Sequence, residues 1–317
     1  MAVTTSVLFL AYNQRPLVRE AVESVLNQEG PPLEILLSDD ASTDGTFVEM
    51  AALARDYRGP HHVVARRNEQ NLGIGEHLNT LVRESRGELL VVAAGDDISE
   101  PTRVQRLQQA WMRSDCTLDL IATPLIAMDE NGTLGATITV DDLSQWRSLD
   151  DWLARKPYVV GAAHAWTRRL FDRFGPLSRD IAYEDQILVF RAICAGKAVT
   201  LPEPLVRYRS GGTSARQPSR SAADRLRRLN VQNRRHLAEL QQLLSDAGHT
   251  PFLSTVQAAL EPELAKQEYL RDLLMSPTLP VLGATALHPA QRVPFSWRWR
   301  KLWSVSSARL GTNPRET

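Results

Sequence analysis

The 317-residue sequence contains only two cysteines, Cys116 and Cys194, and their wide separation matches no metal-binding spacing. It therefore predicts neither a disulfide framework nor a cysteine-based zinc site, and two isolated thiols are typical of a protein from a reducing compartment. The formal net charge is zero, with 37 basic and 37 acidic residues. The protein therefore has no overall positive electrostatic field that would indicate nucleic acid as a partner.

Long apolar runs are also missing, since no stretch approaches the ~18 residues that a membrane-spanning helix needs. The opening residues MAVTTSVLFLAYNQ have no basic segment before a long apolar run, so they do not predict a signal peptide. These features predict a cytoplasmic protein. The segment WRWRKLW (297–303) combines tryptophan with basic side chains. It suits either a peripheral contact with the inner face of the cytoplasmic membrane or a tail packed on the protein itself.

What the sequence does have, over its first 115 residues, is an alternation of two patterns. Short apolar runs occur at 6–11, 33–38, 61–66 and 88–94. Between them lie segments with helical periodicity at 15–28, 45–57 and 75–85. This alternation predicts βαβ units and a Rossmann-like, mainly parallel sheet flanked by helices on both faces.

From about residue 117 the pattern changes. A strand, an Asn131-Gly132 turn and a returning strand are expected within 118–140, followed by a short helix at 148–156. Further on, the sequence predicts a strand at 159–166, a helix within 182–197 and an edge strand at 199–209. The pattern at 222–248 and 252–275 predicts a helical hairpin. We therefore expect a domain at 1–214 and a mostly helical extension at 215–317.

Polar residues follow the predicted parallel strands where ligands bind in such sheets. Two of these ends carry adjacent aspartates, Asp39-Asp40 and Asp96-Asp97, and Glu184-Asp185 opens a later helix. Paired carboxylates repel each other unless a cation or hydrogen-bond donors compensate. A hard divalent cation that arrives with a diphosphate would do so, because Mg²⁺ typically uses one or two carboxylates and completes its shell with phosphates and water.

Five motifs, VLFLAYNQ, LLSDDASTDGT, NEQNLGIGEHLNTL, ELLVVAAGDDISEP and YEDQILVFRA, occur in this order. In order and spacing, residues 5–210 resemble the family 2 glycosyltransferases. The resemblance implies the GT-A fold and inverting transfer from a nucleotide-sugar. It also implies Mn²⁺ or Mg²⁺ as cofactor and a glycan or lipid-linked hydroxyl acceptor. Nucleic acid is not implied, and a homo-oligomer is left open.

The resemblance also implies roles for individual residues. Tyr12 would pack against the base, with Leu10, Ala11 and Asn13 beside it. Asp40 would accept a hydrogen bond from the base, Asp39 would support the loop, and Asn71 and Gly73 would shape the nucleotide pocket. Asp97 would contact the metal, and Asp96 would lie near the metal and the ribose or donor sugar. Asp185 would be the general base, with Glu184 adjacent to it.

The sequence departs from the family pattern at three places. Ala94 stands where an aspartate is common, Leu78 replaces a basic residue, and no histidine follows Tyr208-Arg209. The first and third departures predict a leaner metal site without a histidine ligand, and the second predicts a different recognition of the nucleotide base. His164 and Trp166, on a strand that heads toward the site, are candidates for the acceptor pocket, although a core position for Trp166 is the more ordinary interpretation.

Each acidic motif also has a simpler structural interpretation, as a helix N-cap, a solvated turn or a first-turn carboxylate. Two other functions are compatible with parts of the pattern. One is a nucleotidyltransferase, which the lack of a Gly- and Lys/Arg-rich phosphate loop after the first strand disfavours. The other is a catalytically silent nucleotide- or glycan-binding module, against which the intact Asp97 and Asp185 argue.

Overall fold

Strands and helices alternate in the first part of the chain, and the described residues of the last part are mostly helical. The computed structural model describes residues 5–210, 221–276 and 293–310. The chain divides into two compact units, Met1–Ala215 and Arg216–Thr317. The mixed α/β class and the C-terminal helices predicted from the sequence are confirmed.

The strands all belong to the first unit. They are β1 (Thr5–Ala11), β2 (Glu34–Asp39), β3 (His62–Arg67), β4 (Leu89–Ala94), β5 (Ile98–Ser99), β6 (Leu120–Ala122), β7 (Leu125–Met128), β8 (Leu134–Ile138), β9 (His164–Thr167), β10 (Ala198–Thr200) and β11 (Val206–Arg209). The described helices of this unit are α1 (Val18–Leu26), α2 (Thr46–Asp56), α3 (Ile74–Glu84), α4 (Arg103–Arg113), α5 (Leu149–Ala154), α6 (Arg168–Phe174) and α7 (Glu184–Ala195).

The main sheet has seven strands in the order β10-β6-β9-β4-β1-β2-β3. β9 runs antiparallel to both of its neighbours, and the other pairs are parallel. β1, β2 and β4 are almost wholly buried. Their near-continuous apolar sequences suit strands that are covered on both faces. The register places Ala11 beside Asp39, and Leu10 beside both Ser38 and Ala94.

The helix α1 shows how the sequence dictates the packing around this sheet. Its buried side chains include Val18, Ala21, Val22 and Val25, which are spaced to lie on one helical face. They join a core cluster with Phe9 of β1 and other strand residues. The predicted apolar face of this helix is confirmed.

A second sheet of four strands, in the order β5-β11-β7-β8, forms from the later part of the unit. Here the sequence-based prediction of one edge strand at 199–209 is wrong. The segment forms β10, at the edge of the main sheet, and β11, which lies between β5 and β7. Pro202 and Pro204 fall in the connection, where their missing N–H groups cost no ladder hydrogen bonds.

Two smaller predictions also need correction. The strand expected at 159–166 is confined to β9, and a 3₁₀ turn at Gly161–Ala163 precedes it. The helix α6 was not predicted, because its seven residues are too few for a clear period. Cys116 and Cys194, which both belong to the described residues, form no disulfide and are partly buried.

The second unit contains α8 (Ala222–Ala247), α9 (Leu253–Met275) and α10 (Phe295–Leu310). α8 and α9 pair as the predicted hairpin, in which the buried Asn233 Nδ2 donates to the backbone oxygen of Gln267 over 2.8 Å. An apolar cluster that includes Tyr269, Leu273 and Val305 joins α9 to α10.

Candidate active site

The carboxyl ends of β1, β2 and β4 meet at one edge of the main sheet. The backbone N–H of Asp40 donates to Ala11 O over 2.9 Å, and the backbone N–H of Gly95 donates to Leu10 O over 2.9 Å. The loops after these strands are therefore neighbours. This edge is where ligands bind in open parallel sheets.

The loop after β1 is clamped to the loop after β2. The backbone N–H of Asn13 donates to Ser42 Oγ over 2.8 Å, and the backbone N–H of Thr43 donates to Asn13 Oδ1 over 2.9 Å. Asn13 adopts a left-handed backbone (φ 51°), which asparagine tolerates better than most residues. Tyr12 remains 41% exposed beside this clamp. Its ring is therefore available to a ligand at the sheet edge.

Asp39 and Asp40 are both buried, and they hold different parts of this edge. Asp39 Oδ2 accepts a hydrogen bond from the Ser42 N–H over 2.9 Å and lies 3.3 Å from Arg67 Nε. Its other carboxylate oxygen has no hydrogen-bond partner. Asp39 thus holds the loop after β2 through Ser42 and Arg67.

The Asp40 carboxylate fixes the loop that contains Asn71 and Gly73. Its Oδ1 accepts hydrogen bonds from Asn68 Nδ2 and the Leu72 N–H, each over 2.8 Å, and its Oδ2 accepts from the Gly73 N–H over 3.0 Å. Asn71 Nδ2 reaches the backbone oxygen of Asp40 over 3.4 Å. Gly73 has φ 77°, a conformation that glycine adopts without strain. These contacts occupy the carboxylate that, by the family resemblance, would accept a hydrogen bond from the nucleotide base.

A polar network that the sequence did not indicate lies beneath this loop. His77 Nε2 lies 2.6 Å from Ser38 Oγ, and Arg66 Nη1 donates to the same oxygen over 2.7 Å. Burial lowers the pKa of His77 to about 4, although the charge of Asp40 opposes this effect. His77 is therefore neutral at physiological pH and serves as a hydrogen-bonding support.

The turn after β4 brings Asp96 and Asp97 to the same edge. A Cβ at Gly95 would overlap Gln14 Oε1 and lie 2.9 Å from Ala11 Cβ, so this close approach requires glycine. Asp97 is buried. Burial and, secondarily, the charge of Asp96 raise the pKa of Asp97 to about 7. The charged form of Asp97 is thus disfavoured mainly because its carboxyl group is removed from water.

Two buried arginines organise this turn, and neither was singled out from the sequence. Arg209 donates its backbone N–H to Asp97 Oδ1 over 2.8 Å and its Nε to Asp96 O over 3.1 Å. Arg103 donates through Nη2 to the oxygens of Val92 and Ala162, each over 2.8 Å. Arg103 therefore connects the end of β4 to the turn before β9.

Glu184 and Asp185 form the first turn of α7. Asp185 Oδ1 accepts a hydrogen bond from the Gln186 N–H over 2.8 Å. Burial and the charge of Asp185 raise the pKa of Glu184 to about 8. Gly161 packs closely here, since a Cβ at that position would lie 2.6 Å from Glu184 Oε1. At neutral pH Glu184 is mostly protonated.

Tyr208 of β11 connects the acidic motifs. Its pKa is raised by burial and then by the charges of Asp97, Asp96, Tyr158 and Asp185. The effect of a charged group on the pKa of another group weakens as the distance between them grows. The phenol therefore lies in the electrostatic field of both the Asp96-Asp97 turn and the start of α7, which the fold brings together across about 90 residues of sequence.

His164 and Trp166 are both fully buried in β9. The Trp166 ring packs against Phe171 with 4.9 Å between centroids, so Trp166 is a core aromatic and offers no face to an acceptor. Neither nitrogen of the His164 ring has a hydrogen-bond partner. Burial, assisted by the charge of Arg103, lowers the pKa of His164 to about 3. His164 lies behind the site and does not line an open acceptor pocket.

The donor set at this edge fits a hard divalent cation. Within residues 5–210, 221–276 and 293–310, no cluster of three or more His, Cys, Asp or Glu side chains is placed to hold a metal. Asp96 and Asp97 instead offer two carboxylates. Oxygen ligands in this number suit Mg²⁺ or Mn²⁺ whose remaining positions are filled by phosphates and water.

A family model described as glycosyl transferase family 2 matches residues 6–166. The matched residues contain β1 through most of β9 and the Asp39-Asp40 and Asp96-Asp97 motifs. The match covers half of the chain. It ends before Glu184-Asp185 and before the helices of the second unit.

Relatives among known proteins match the same part of the chain. EpsE of Bacillus subtilis, which is named as a glycosyltransferase, is 31% identical over 133 residues, or 42% of this chain and 47% of EpsE. Chondroitin synthase of Escherichia coli is 33% identical over 129 residues, or 41% of this chain and 18% of the synthase. The chain thus matches about half or less of the length of these relatives.

Solved structures extend the similarity in fold to the whole chain. TarS 1–349 of S. aureus in complex with UDP-GlcNAc has a TM-score of 0.55 at 16% identity, covering 99% of this chain and 93% of TarS 1–349. The mannosyltransferase PcManGT of Pyrobaculum calidifontis, in complex with GDP-Man and Mn²⁺, has a TM-score of 0.53 at 20% identity, covering 98% of this chain and 88% of PcManGT. At these identities the likeness shows the fold.

Proposed function

The chain belongs to glycosyl transferase family 2, and from this premise we propose that it transfers a sugar from a nucleotide-sugar to a hydroxyl acceptor with inversion at the anomeric carbon. The observation that carries the proposal is that Arg103 joins the end of β4 to Ala162, while the neighbouring Gly161 lies against Glu184 and Asp185, so the Asp96-Asp97 turn and the start of α7 lie in the same region of the fold. Metal-assisted inverting transfer needs a group that binds the metal and a general base, both near the anomeric carbon. It needs no covalent nucleophile. Surface polysaccharide, glycolipid or glycoprotein glycan synthesis is the proposed setting.

The nucleotide would bind at the ends of β1 and β2. Tyr12 has an exposed ring for stacking, and the backbone of Leu10 and Ala11 lies alongside. Because the Asp40 carboxylate already accepts three hydrogen bonds, we assign it first to shaping the loop with Asn71 and Gly73. A contact with the base would use a remaining lone pair. Asp39 and Asn13 would act through the loops that they hold.

Asp97, with Asp96 beside it, would hold Mn²⁺ or Mg²⁺. When bound, such an ion stabilises the negative charge that collects on a departing nucleoside diphosphate. Asp97 must be ionised to bind it. Its buried position and the charge of Asp96 oppose ionisation, so metal binding and proton release at Asp97 are coupled.

Asp185 is the proposed general base, which removes the acceptor proton as the hydroxyl oxygen attacks the anomeric carbon. We assign different roles to Glu184 and Asp185 because they differ in protonation. Because the pKa of Glu184 is raised to about 8, Glu184 is mostly protonated at neutral pH and is a poor acceptor of protons there. Asp185 then carries the negative charge of the pair. Glu184 would orient the acceptor as a hydrogen-bond donor.

The finer assignments rest on analogy. A UDP-sugar is our preferred donor, and the similar structures were solved with UDP-GlcNAc in TarS and with GDP-Man in PcManGT. A glycan or lipid-linked acceptor, a cytoplasmic location and a homo-oligomer belong to the same proposal.

The experiment that tests this proposal can also identify two other functions. Titration calorimetry of UDP, GDP and dTDP, each with and without Mn²⁺, measures which nucleotide binds and whether the metal is needed. Incubation with the matching nucleotide-sugar and release of nucleoside diphosphate then separates a transferase from a silent binding module. Release of pyrophosphate from a nucleoside triphosphate would instead identify a nucleotidyltransferase. Failure to bind any nucleoside diphosphate with Mn²⁺ would overturn the proposal.

A further inference from the structure

The second unit exposes three large aromatic side chains in one row along α10. Phe295, Trp299 and Trp303 are 59%, 52% and 46% exposed. Their spacing of four residues places them on the same helical face. The rings of Phe295 and Trp299 stack with 6.3 Å between centroids, so these two rings form one apolar surface, and Trp303 lies one turn further along the same face.

The opposite face of the same helix is packed. Val305 is fully buried in the apolar cluster of this unit, and Trp297 lies against Tyr269 with 6.1 Å between ring centroids. The aromatic row is therefore exposed on a helix that is held in place by its other side. Three aromatics aimed at solvent on such a helix indicate an interaction surface.

An exposed basic side chain borders the row, and α10 contains no acidic residue. Arg300 is exposed, and its helical position places it beside the row. Arg298 is buried, and its guanidinium lies 5.6 Å from the centre of the Phe295 ring. Exposed aromatic rings beside a cationic side chain are a composition that binds at the headgroup boundary of a membrane.

The charge distribution along the chain supports the same partner. The zero net charge of the protein conceals an asymmetry between the two units. Residues 216–317 contain 15 lysines and arginines against 8 aspartates and glutamates, a net charge of +7. Residues 1–215 contain 22 against 29, a net charge of −7. Such asymmetry favours an anionic partner for the basic part.

We propose that the aromatic row of α10 binds in the plane of a bilayer surface that contains anionic lipids. Among the residues that the structure describes, no helix is long and apolar enough to cross a membrane. A second copy of the chain fits this face less well, because pairing two rows would bring Arg300 of both copies together. A nucleic acid fits less well because the centre of the face is aromatic and the exposed Arg300 lies at its border.

The test measures flotation of the full-length protein with vesicles of phosphatidylcholine and with vesicles of equimolar phosphatidylcholine and phosphatidylglycerol. We expect binding to the mixed vesicles that weakens as salt is added. The W299A/W303A double variant should bind at least about tenfold more weakly, because two half-exposed indoles no longer leave water. R300Q should lose about fivefold on the mixed vesicles and little on the neutral ones.

F252A is the matched control, since Phe252 is another exposed aromatic of the same unit but lies at the start of α9. It should bind like the parent protein, and all variants should retain the parent melting temperature. Vesicle binding by W299A/W303A equal to that of the parent would overturn the proposal. So would a row-dependent dimer in sedimentation, or a row-dependent complex with an RNA oligomer, in a protein that does not bind vesicles.

Discussion

The backbone N–H of Arg209 donates a hydrogen bond to Asp97 Oδ1 over 2.8 Å, across 112 positions of sequence. The same arginine pairs with Glu20 of α1 over 3.0 Å and reaches Asp96 O through Nε. One residue at the end of β11 therefore fixes the turn after β4 against the first helix. The second sheet thus supports the acidic turn of the first.

Asp97 accepts a hydrogen bond from the Arg209 N–H, and its pKa is raised. Substitution of Asp97 therefore tests the proposed metal site. We predict that D97N abolishes the part of nucleotide affinity that depends on Mn²⁺, because an amide is a poor ligand for a hard cation. The oxygen of the introduced amide can still accept the Arg209 N–H, so the fold should persist. Calorimetry of UDP with and without Mn²⁺ measures the effect. Unchanged metal-linked affinity in D97N would remove Asp97 from this role.

The pH dependence of the apo protein follows from the same carboxyl. The pKa of Asp97 is about 7 in the folded state and 3.8 as its ordinary value, so the unfolded state releases this proton first. Stability from this group is full below pH 3.8 and is lost as pH rises toward about 7. D97N should therefore gain stability relative to the parent as pH rises, by roughly 1–3 kcal/mol at pH 8. Denaturant unfolding at several pH values measures this difference, and a constant difference would contradict it.

The sequence could predict β1 to β4 of the main sheet because each is a local pattern. In β1 and β4 the apolar run itself identifies a buried strand, and the polar residues that follow define the edge. Asp96 and Asp97 were identified in this way. Gly73 and Asn71 were identified through the family motif, and the structure adds the hydrogen bonds that join them to Asp40.

The roles of Arg103 and Arg209 could not be predicted in the same way. Each acts through contacts with segments far away in sequence, such as Ala162 for Arg103 and Glu20 for Arg209. A buried arginine also looks like any surface arginine in a sequence. β11 was misjudged for a related reason, since its place between β5 and β7 depends on long-range pairing.

Two variants distinguish the role of the general base from that of the nucleotide pocket. We predict that D185N lowers the rate of transfer by roughly two to four orders of magnitude, the usual contribution of general-base catalysis, with nucleotide affinity nearly unchanged. D40N should do the reverse, because the NH₂ group of the amide would face the donor of either Leu72 or Gly73, which bind different oxygens of the carboxylate. Transfer rates at saturating donor and calorimetry with UDP measure the two effects. Near-native transfer by D185N would make Glu184 the next candidate.

Gly161 offers a way to disturb the acidic pair without touching a carboxylate. A Cβ at this position would lie 2.6 Å from Glu184 Oε1 and 3.3 Å from Asp185 Cβ, so G161A displaces the Glu184 carboxylate and crowds Asp185. We predict a fall in transfer of roughly 10- to 100-fold, since small displacements of catalytic groups cost this much, and little change in nucleotide affinity.

The control for G161A is G135A, whose added Cβ would meet Ala127 Cβ at an ordinary 3.4 Å. A double-mutant cycle identifies the cause. In the E184A background the carboxylate that obstructs the new methyl group is gone, so G161A should cost much less than it does in the parent. Equal losses in both backgrounds would show that the turn at 161–163 acts on transfer through something other than the Glu184 carboxylate.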